Sequence, residues 1–478
     1  MKGKASQILS RLTLYDTTGL AQVVRKNLRL VILGVVVGNV CFTITGGTAL
    51  TGYIKALGAS DFVYSLLLAV PFVAKFMQLI TSYILEKTRA RRQLMLVFGL
   101  ISRLMWIPVA LVPYFIPASQ PVLRIWAILT LVLLLSCMGA FIDSSFNSLV
   151  ADIVPMRIRG RYFSARQRMM MLSGILAGIV ISYLLDRFTA DGSLVGYTMV
   201  FVIAGIFGAG DIFCFIWVSF PPMAAPDPAQ QKQSLPKMFG EVLKNRRYMK
   251  LIACWTAWVF AVNLCAPFYN VHMLGPMRMT YTEVNFLSAI VSNIATLLSI
   301  SVWGGLMDRY GNKAVARVFA LIAAFIPALW MFTGERIIFM VPVVQFISGM
   351  TLPTIDLAAQ NMYLYQAPER NRSMYIAVYF CITQMVGVSL GYTVGGWLTD
   401  NVFAGLAQSL NLSFFGYECN QYQMIFQLSG VLRLIVVLAL LRMLPETEDD
   451  CKPMEMVRGV LGSMRRRGAG KMTVKRGA

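Results

Sequence analysis

The 478-residue chain is 57% hydrophobic and only 14% charged, with a mean hydropathy of +0.65. A soluble globular chain carries about 25% charged residues, so these values exclude an ordinary soluble protein. The net charge of +21 would suit nucleic acid, but 35 of the 43 Lys and Arg fall in the termini and in alternate connections, the signature of membrane orientation rather than of a nucleic-acid partner.

Residues 1–29 are polar and basic, and the first apolar stretch begins near Leu30. That stretch is long enough to span, so a cleavable signal peptide is not expected. Six spans are predicted at Leu30–Leu50, Phe62–Leu85, Leu94–Pro117, Ile125–Val150, Tyr162–Leu185 and Gly196–Phe220. Each reaches the ~20 apolar residues that cross a bilayer. A Pro-, Gln- and Lys-rich connection from Pro221 to Arg247 reads as a linker. Six more spans are predicted at Leu251–Tyr269, Asn285–Met307, Ala314–Phe332, Ile338–Tyr365, Ser373–Leu398 and Met424–Leu441, with a longer connection from Thr399 to Gln423 before the last.

The expectation is therefore an all-α membrane protein of 12 transmembrane helices. It divides into an N-terminal segment (1–29), a six-helix bundle (30–220), a linker (221–247), a second six-helix bundle (248–444) and a tail (445–478). The connections poor in Lys and Arg hold only Lys55, Arg124, Arg187, Arg278 and Arg336. The positive-inside rule then puts both termini in the cytoplasm of a multi-pass protein of the cell (inner) membrane. The excess positive charge is expected to attract anionic lipid. Eight cysteines with no CxxC spacing and a single histidine, His272, offer no metal site, cofactor or disulfide framework.

The two bundles repeat one another. Asp143, Asn147, Pro155, Arg159, Tyr162, Gly174 and Gly178 recur 213 residues later as Asp356, Gln360, Pro368, Arg372, Tyr375, Gly387 and Gly391, with six of the seven identical. Asn39-x-Cys41 recurs as Asn263-x-Cys265, and Tyr197-x-Met199-x-Phe201 as Tyr422-x-Met424-x-Phe426, the latter at an offset of 225. Because each copy has an even number of spans, the repeat is parallel. The Gly-x-x-x-Gly spacings predict close helix approach.

The most specific local signature is Gly304-Gly-Leu-Met-Asp308-Arg309-Tyr-Gly311-Asn-Lys313, after the eighth span. A worn copy, Ser82-Tyr-Ile-Leu-Glu86-Lys87-Thr-Arg89, follows the second. With this motif in two equivalent loops, the chain resembles the major facilitator superfamily over essentially its whole length. The resemblance implies two parallel-repeat bundles, no catalytic residues, a monomer, and a substrate cavity lined by spans 1, 4, 7 and 10. Here the second-half motif is the better copy, since Ser82 and Glu86 replace Gly and Asp in the first.

Asp143 lies twelve residues before Pro155, roughly 18 Å along a helix and so near the middle of a ~30 Å hydrocarbon core. Asp356 is its counterpart. Asn147 and Gln360 share a helix face with their acids. By the resemblance, Asn39, Asp143, Asn147, Asn263, Asp356 and Gln360 face the cavity. Desolvation disfavours a carboxylate's charged form, so either acid is a candidate proton carrier; structural pairing is the alternative. Lys75 is a candidate for an anionic substrate, or a partner of Asp143. Arg103 and Asp211 are expected to pair within the first bundle, and Arg433 to reach inward towards Asp356. Gly304, Asp308, Arg309 and Gly311, with Glu86, Arg159 and Arg372, are expected to form gating loops, the repeated arginines bridging Glu86 and Asp308 as a latch.

These expectations point to a secondary transporter for a small solute working by alternating access, with proton coupling. Sodium-coupled or uncoupled transport and a solute receptor without flux are the alternatives. No nucleotide-binding loop is present to drive it with ATP.

Overall fold

A computed structural model describes residues 22–155, 158–221, 235–335, 338–368, 372–410, 413–414 and 417–440. The expected tail and most of the N-terminal segment lie outside the described residues, as does the first part of the linker. The described chain is almost wholly helical. In the first half run α1 (Gln22–Thr45), α2 (Thr48–Ala56), α3 (Asp61–Ala74), α4 (Met77–Thr88), α5 (Arg91–Leu104), α6 (Trp106–Phe115), α7 (Pro121–Ile153), α8 (Arg159–Phe188) and α9 (Val195–Ile216). The second half contains α10 (Leu235–Lys244), α11 (Arg246–Asn263), α12 (Phe268–Leu274), α13 (Tyr281–Val284), α14 (Val291–Tyr310), α15 (Asn312–Leu329) and α16 (Met340–Gln366). It ends with α17 (Arg372–Ile382), α18 (Leu390–Leu398), α19 (Ala404–Leu410), a two-residue hairpin of β1 (Ser413–Phe414) and β2 (Tyr417–Glu418), and α20 (Gln421–Ile435).

Ten of these runs are long and apolar enough to cross a membrane. The bent pair Tyr281–Ser299 with Trp303–Tyr310 makes an eleventh, and the shorter apolar helix Asp61–Ala74 stands in the second position. With ten full-length spans, the bent pair and this shorter helix, the runs fall in the order of the twelve expected. Several are broken where the sequence says they must be. Gly46-Gly47 separates α1 from α2. Pro108 has no amide to give the carbonyl of Leu104, where α5 ends and α6 follows. Pro71 removes another amide one turn before α3 gives way at Lys75-Phe76. The outward faces carry large apolar residues, among them Phe115, Leu176, Leu298 and Phe339, as lipid contact requires.

The chain divides into two compact units. One comprises Met1–Lys232 with Pro267–Ala289 and Tyr392–Val402; the other comprises Gln233–Ala266, Ile290–Gly391 and Phe403–Ala478. In the first unit α9 packs along α1 and α5, and α5 along α7. Its core gathers Leu28, Val31, Met95, Leu149, Ile212 and Phe215. In the second unit α16 packs on α14 and α15, and α20 on α15. There Trp330 meets Phe426 at 5.6 Å between ring centres, and Gln423 donates to the carbonyls of Trp330 and Thr333 at 3.2 Å.

Three features differ from the expected boundaries. The connection before the seventh span closes with helix α10, which packs on α11 and α17 and buries Val242. Asn245 then caps α11 by accepting from the amide of Tyr248 at 3.1 Å. The eleventh span runs on to Leu410 through a π-helical turn at Thr399–Phe403. Finally, residues 267–289 and 392–402 fold with the first unit although they follow the linker. Two carboxylates hold them there. Asp186, in the last turn of α8, accepts from the amides of Tyr281 and Thr282 at 2.7 and 2.9 Å. Asp400 accepts from the amides of Asp61 and Phe62 at 3.1 and 2.7 Å. Each satisfies orphan amides at a helix start, where the backbone dipole favours an anion.

Candidate functional site

In the first unit the candidate residues converge on α7. The Asp143 carboxylate accepts a hydrogen bond from the side-chain amide of Gln78 at 2.9 Å. This partner comes from the interrupted second span. Lys75 is the residue at which α3 stops, and Gln78 opens α4 with its backbone amide donated to the carbonyl of Lys75 at 3.0 Å. The break therefore presents the Gln78 amide to the carboxylate, while Lys75 is exposed and forms no salt bridge with Asp143. Thr81 seats this arrangement by bonding Ser144 at 2.8 Å, one residue on from the acid. Asn147, one turn further along α7, is exposed.

Asn39 has a packing role. Its amide donates to the carbonyl of Met170 at 2.8 Å and to the hydroxyl of Ser173 at 3.1 Å. A Cβ at Gly174 would stand 3.0 Å from the same nitrogen, so the glycine makes room for the bond. In the second unit Asn263 donates to Val259 at 2.7 Å on its own helix, and Gly391 approaches it in turn. The two glycine pairs serve close helix approach, as their spacing predicts.

Asp356 sits on α16 amid buried Thr354, Ile355, Ala358 and Ala359, yet it and Gln360 are exposed. The polar pair thus points away from the packing of its own unit. Behind it stands a tyrosine cluster that sequence reading missed. Tyr363 and Tyr379 lie 4.4 Å apart, and Tyr248 and Tyr375 lie 5.0 Å apart edge to face. Tyr363 lies about two turns on from Asp356 along α16. Only Tyr375 belonged to the recognised repeat. Among the described residues, no cation pairs with Asp356.

The buried arginines resolve unequally. Arg103 donates to Asp211 at 3.3 Å inside the first unit, as expected, and its guanidinium lies over the ring of Phe42 at 4.5 Å. Arg433 does not reach Asp356. It is 2% exposed and donates to the carbonyls of Ala323 at 3.0 Å and Val262 at 3.4 Å, and to the sulfur of Cys265 at 3.4 Å. The reason is its side of the helix: α20 turns this face to α11 and α15, where carbonyl oxygens are nearest.

The loop residues are placed as follows. Gly311 ends α14 at φ +81°, a conformation that favours glycine, and this accounts for the last Gly of the motif. Asn312 accepts from Asn361 at 2.8 Å, tying the start of α15 to α16. Gly304 lies within α14, Asp308 is exposed, and Arg309 stacks on Tyr310 at 5.2 Å. Arg372 donates to the carbonyl of Leu364, capping the end of α16, and makes no bridge to Asp308. Arg159 opens α8. The side chain of Glu86 lies outside the described residues.

The family model of the Major Facilitator Superfamily matches residues 31–277 and 266–468. No curated protein sequence matches the chain. Among solved structures, a mutant of the nucleoside transporter NupG matches at 15% identity and TM-score 0.69, covering 88% of this chain and 100% of that one. A bacterial homolog to the human lysosomal transporter Spinster, inward-facing and occupied, matches at 16% identity and TM-score 0.66, covering 89% and 98%. The inward-open xylose transporter XylE from E. coli matches at 13% identity and TM-score 0.62, covering 90% and 99%. At such identities the structures share a fold. With the family model spanning nearly the whole chain and this fold beneath it, the protein belongs to the major facilitator superfamily, a family of solute transporters.

Proposed function

We propose that this protein is a proton-coupled secondary transporter of a small polar solute, working by alternating access in the cell membrane with both termini cytoplasmic. The observation that carries the reading is the unequal company of two matched acids. Asp143 accepts a hydrogen bond from Gln78, whereas Asp356 has no hydrogen-bond or salt-bridge partner among the described residues. An intramembrane acid needs a partner. For Asp356 we assign that partner as a proton, and for Asp143 the standing Gln78 amide, which fixes the carboxylate to orient the solute's polar atoms. Gln360 and Asn147, exposed one turn from each acid, extend the polar stripe on both helices. Nucleosides and sugars are the first solutes to try, since relatives of this fold carry those names.

The test is proton movement in liposomes holding the purified protein and a pH-sensitive dye, challenged with a panel of nucleosides, pentoses and hexoses. The wild type should acidify or alkalinise the lumen when one class is added. Asp356→Asn should abolish that signal while leaving exchange of radiolabelled solute intact. Proton movement that persists in Asp356→Asn would remove the coupling role from this residue.

A further inference from the structure

A cavity of about 860 Å³ lies where α4 turns into α5, walled by residues 88–93 on one side and 216–221 on the other. The proposed transport cycle makes no use of it. The chain reverses at Arg89, which adopts a left-handed conformation (φ 51°), and α5 then begins at Arg91 with no side chain capping it. The amides of its first turn therefore have no side-chain acceptor, and such a helix start favours an anion.

The opposite wall is built, not draped. Arg92 donates to the carbonyl of Ile216 at 2.9 Å, and Arg91 to that of Pro221 at 2.7 Å. Asn27 clamps Ser219 with two hydrogen bonds, at 3.0 and 3.1 Å. Arg91 is 2% exposed, and its Nε has no hydrogen-bond partner among the described residues. Its charge is met by Asp152 at 2.6 Å, with Ser148 accepting at 3.0 Å. Arg89 and Arg92 are exposed and pair with no carboxylate among the described residues, so these two line the cavity with positive charge that no described acid meets. At its rim Trp217 is 53% exposed, next to the exposed Ile216 and Phe213 of a membrane helix. An indole at that position suits the boundary between headgroups and hydrocarbon.

We propose that this cavity is a phosphate-binding site, holding a phosphate ester between Arg89, Arg92 and the uncapped first turn of α5. The source of the phosphate is either the headgroup of an anionic phospholipid, whose chains would continue past Trp217, or a free phosphate compound. The proposal is independent of the coupling role given to Asp356.

Native mass spectrometry of the full chain released from detergent tests it, with phosphatidylglycerol, phosphatidylcholine and inorganic phosphate as probes. Phosphatidylglycerol should remain bound to the wild type and bind roughly tenfold or more weakly to an Arg89→Gln/Arg92→Gln variant, since each basic residue near a membrane surface contributes materially to holding an anionic lipid. Inorganic phosphate that displaces the lipid, or binds alone with the same dependence on the two arginines, supports the site with a free phosphate as source. Lipid that phosphate does not displace supports the headgroup. As a second readout, brominated phosphatidylglycerol should quench wild-type fluorescence more than that of Trp217→Phe. Equal binding of both anions by wild type and double variant, or equal quenching with and without Trp217, overturns the proposal.

Discussion

The two halves of this molecule bury an arginine at the same depth of the repeat but from opposite helices. In the first unit Arg103 leaves α5, crosses to α9 and meets Asp211. A Cβ at Gly208 would stand 2.8 Å from its Cδ, so the glycine gives it room. The offset of 225 that relates Tyr197 to Tyr422 carries Gly208 onto Arg433. In the second unit, then, the arginine stands where the first has its glycine, and it points back at Ala323 on the helix that repeats α5. One guanidinium is met by a carboxylate; the other donates its two terminal nitrogens to carbonyl dipoles and a sulfur. A repeat can thus conserve a need for a polar tie between two helices while exchanging which helix supplies it.

This contrast sets the order of expected effects. Removing one member of a buried ion pair strands the other, so Arg103→Met should cost about 3–5 kcal/mol. Adding Asp211→Asn to it should recover most of the loss. Apparent melting of the purified protein in detergent measures both, and a double variant no better than Arg103→Met would show that the carboxylate is held by something else. Arg433→Met leaves only carbonyls short of a donor, so a smaller loss, about 1–3 kcal/mol, is expected. An Arg433→Met cost equal to that of Arg103→Met would erase the distinction between the two units.

The helix caps sharpen the comparison at lower energy. Asp186 and Asp400 occupy the ends of repeated spans and cap the starts of repeated spans, whose own hydroxyl caps, Ser60 and Thr280, also correspond. Asp400→Ala and Asp186→Ala should each cost about 1–2 kcal/mol, the ordinary loss for a cap. Matched losses are expected, and a pronounced inequality would mean that only one of the two caps bears on stability. The smallest effect is expected at Asn39→Ala, about 1 kcal/mol from bonds that water does not replace. The same melting series reads it.

Sequence alone carried the repeat, the spans and the family signature, because a bilayer imposes a length and an apolarity on every helix that crosses it. It also anticipated the Arg103–Asp211 pair, since a buried charge demands a partner and few were on offer. Gly311 was legible as part of a motif, and its positive φ supplies the reason. Other features were beyond such reading. Gln78, Tyr363 and Tyr379 carry no spacing that sets them apart from packing residues. Asp186 and Asp400 fall just past the span ends read from hydropathy, where an acid looks like ordinary surface.

What the chain determined by itself was which segments cross the membrane and which residues are too polar to lie there without company. Which company each one keeps was decided by the tertiary structure. Arg433 is the clearest instance: its sequence position named a need, and only the direction of its helix face, towards Ala323, Val262 and Cys265 and away from Asp356, settled how that need is met. Period and hydropathy follow from local chemistry, whereas a partner drawn from 110 or 171 residues away depends on how whole helices pack.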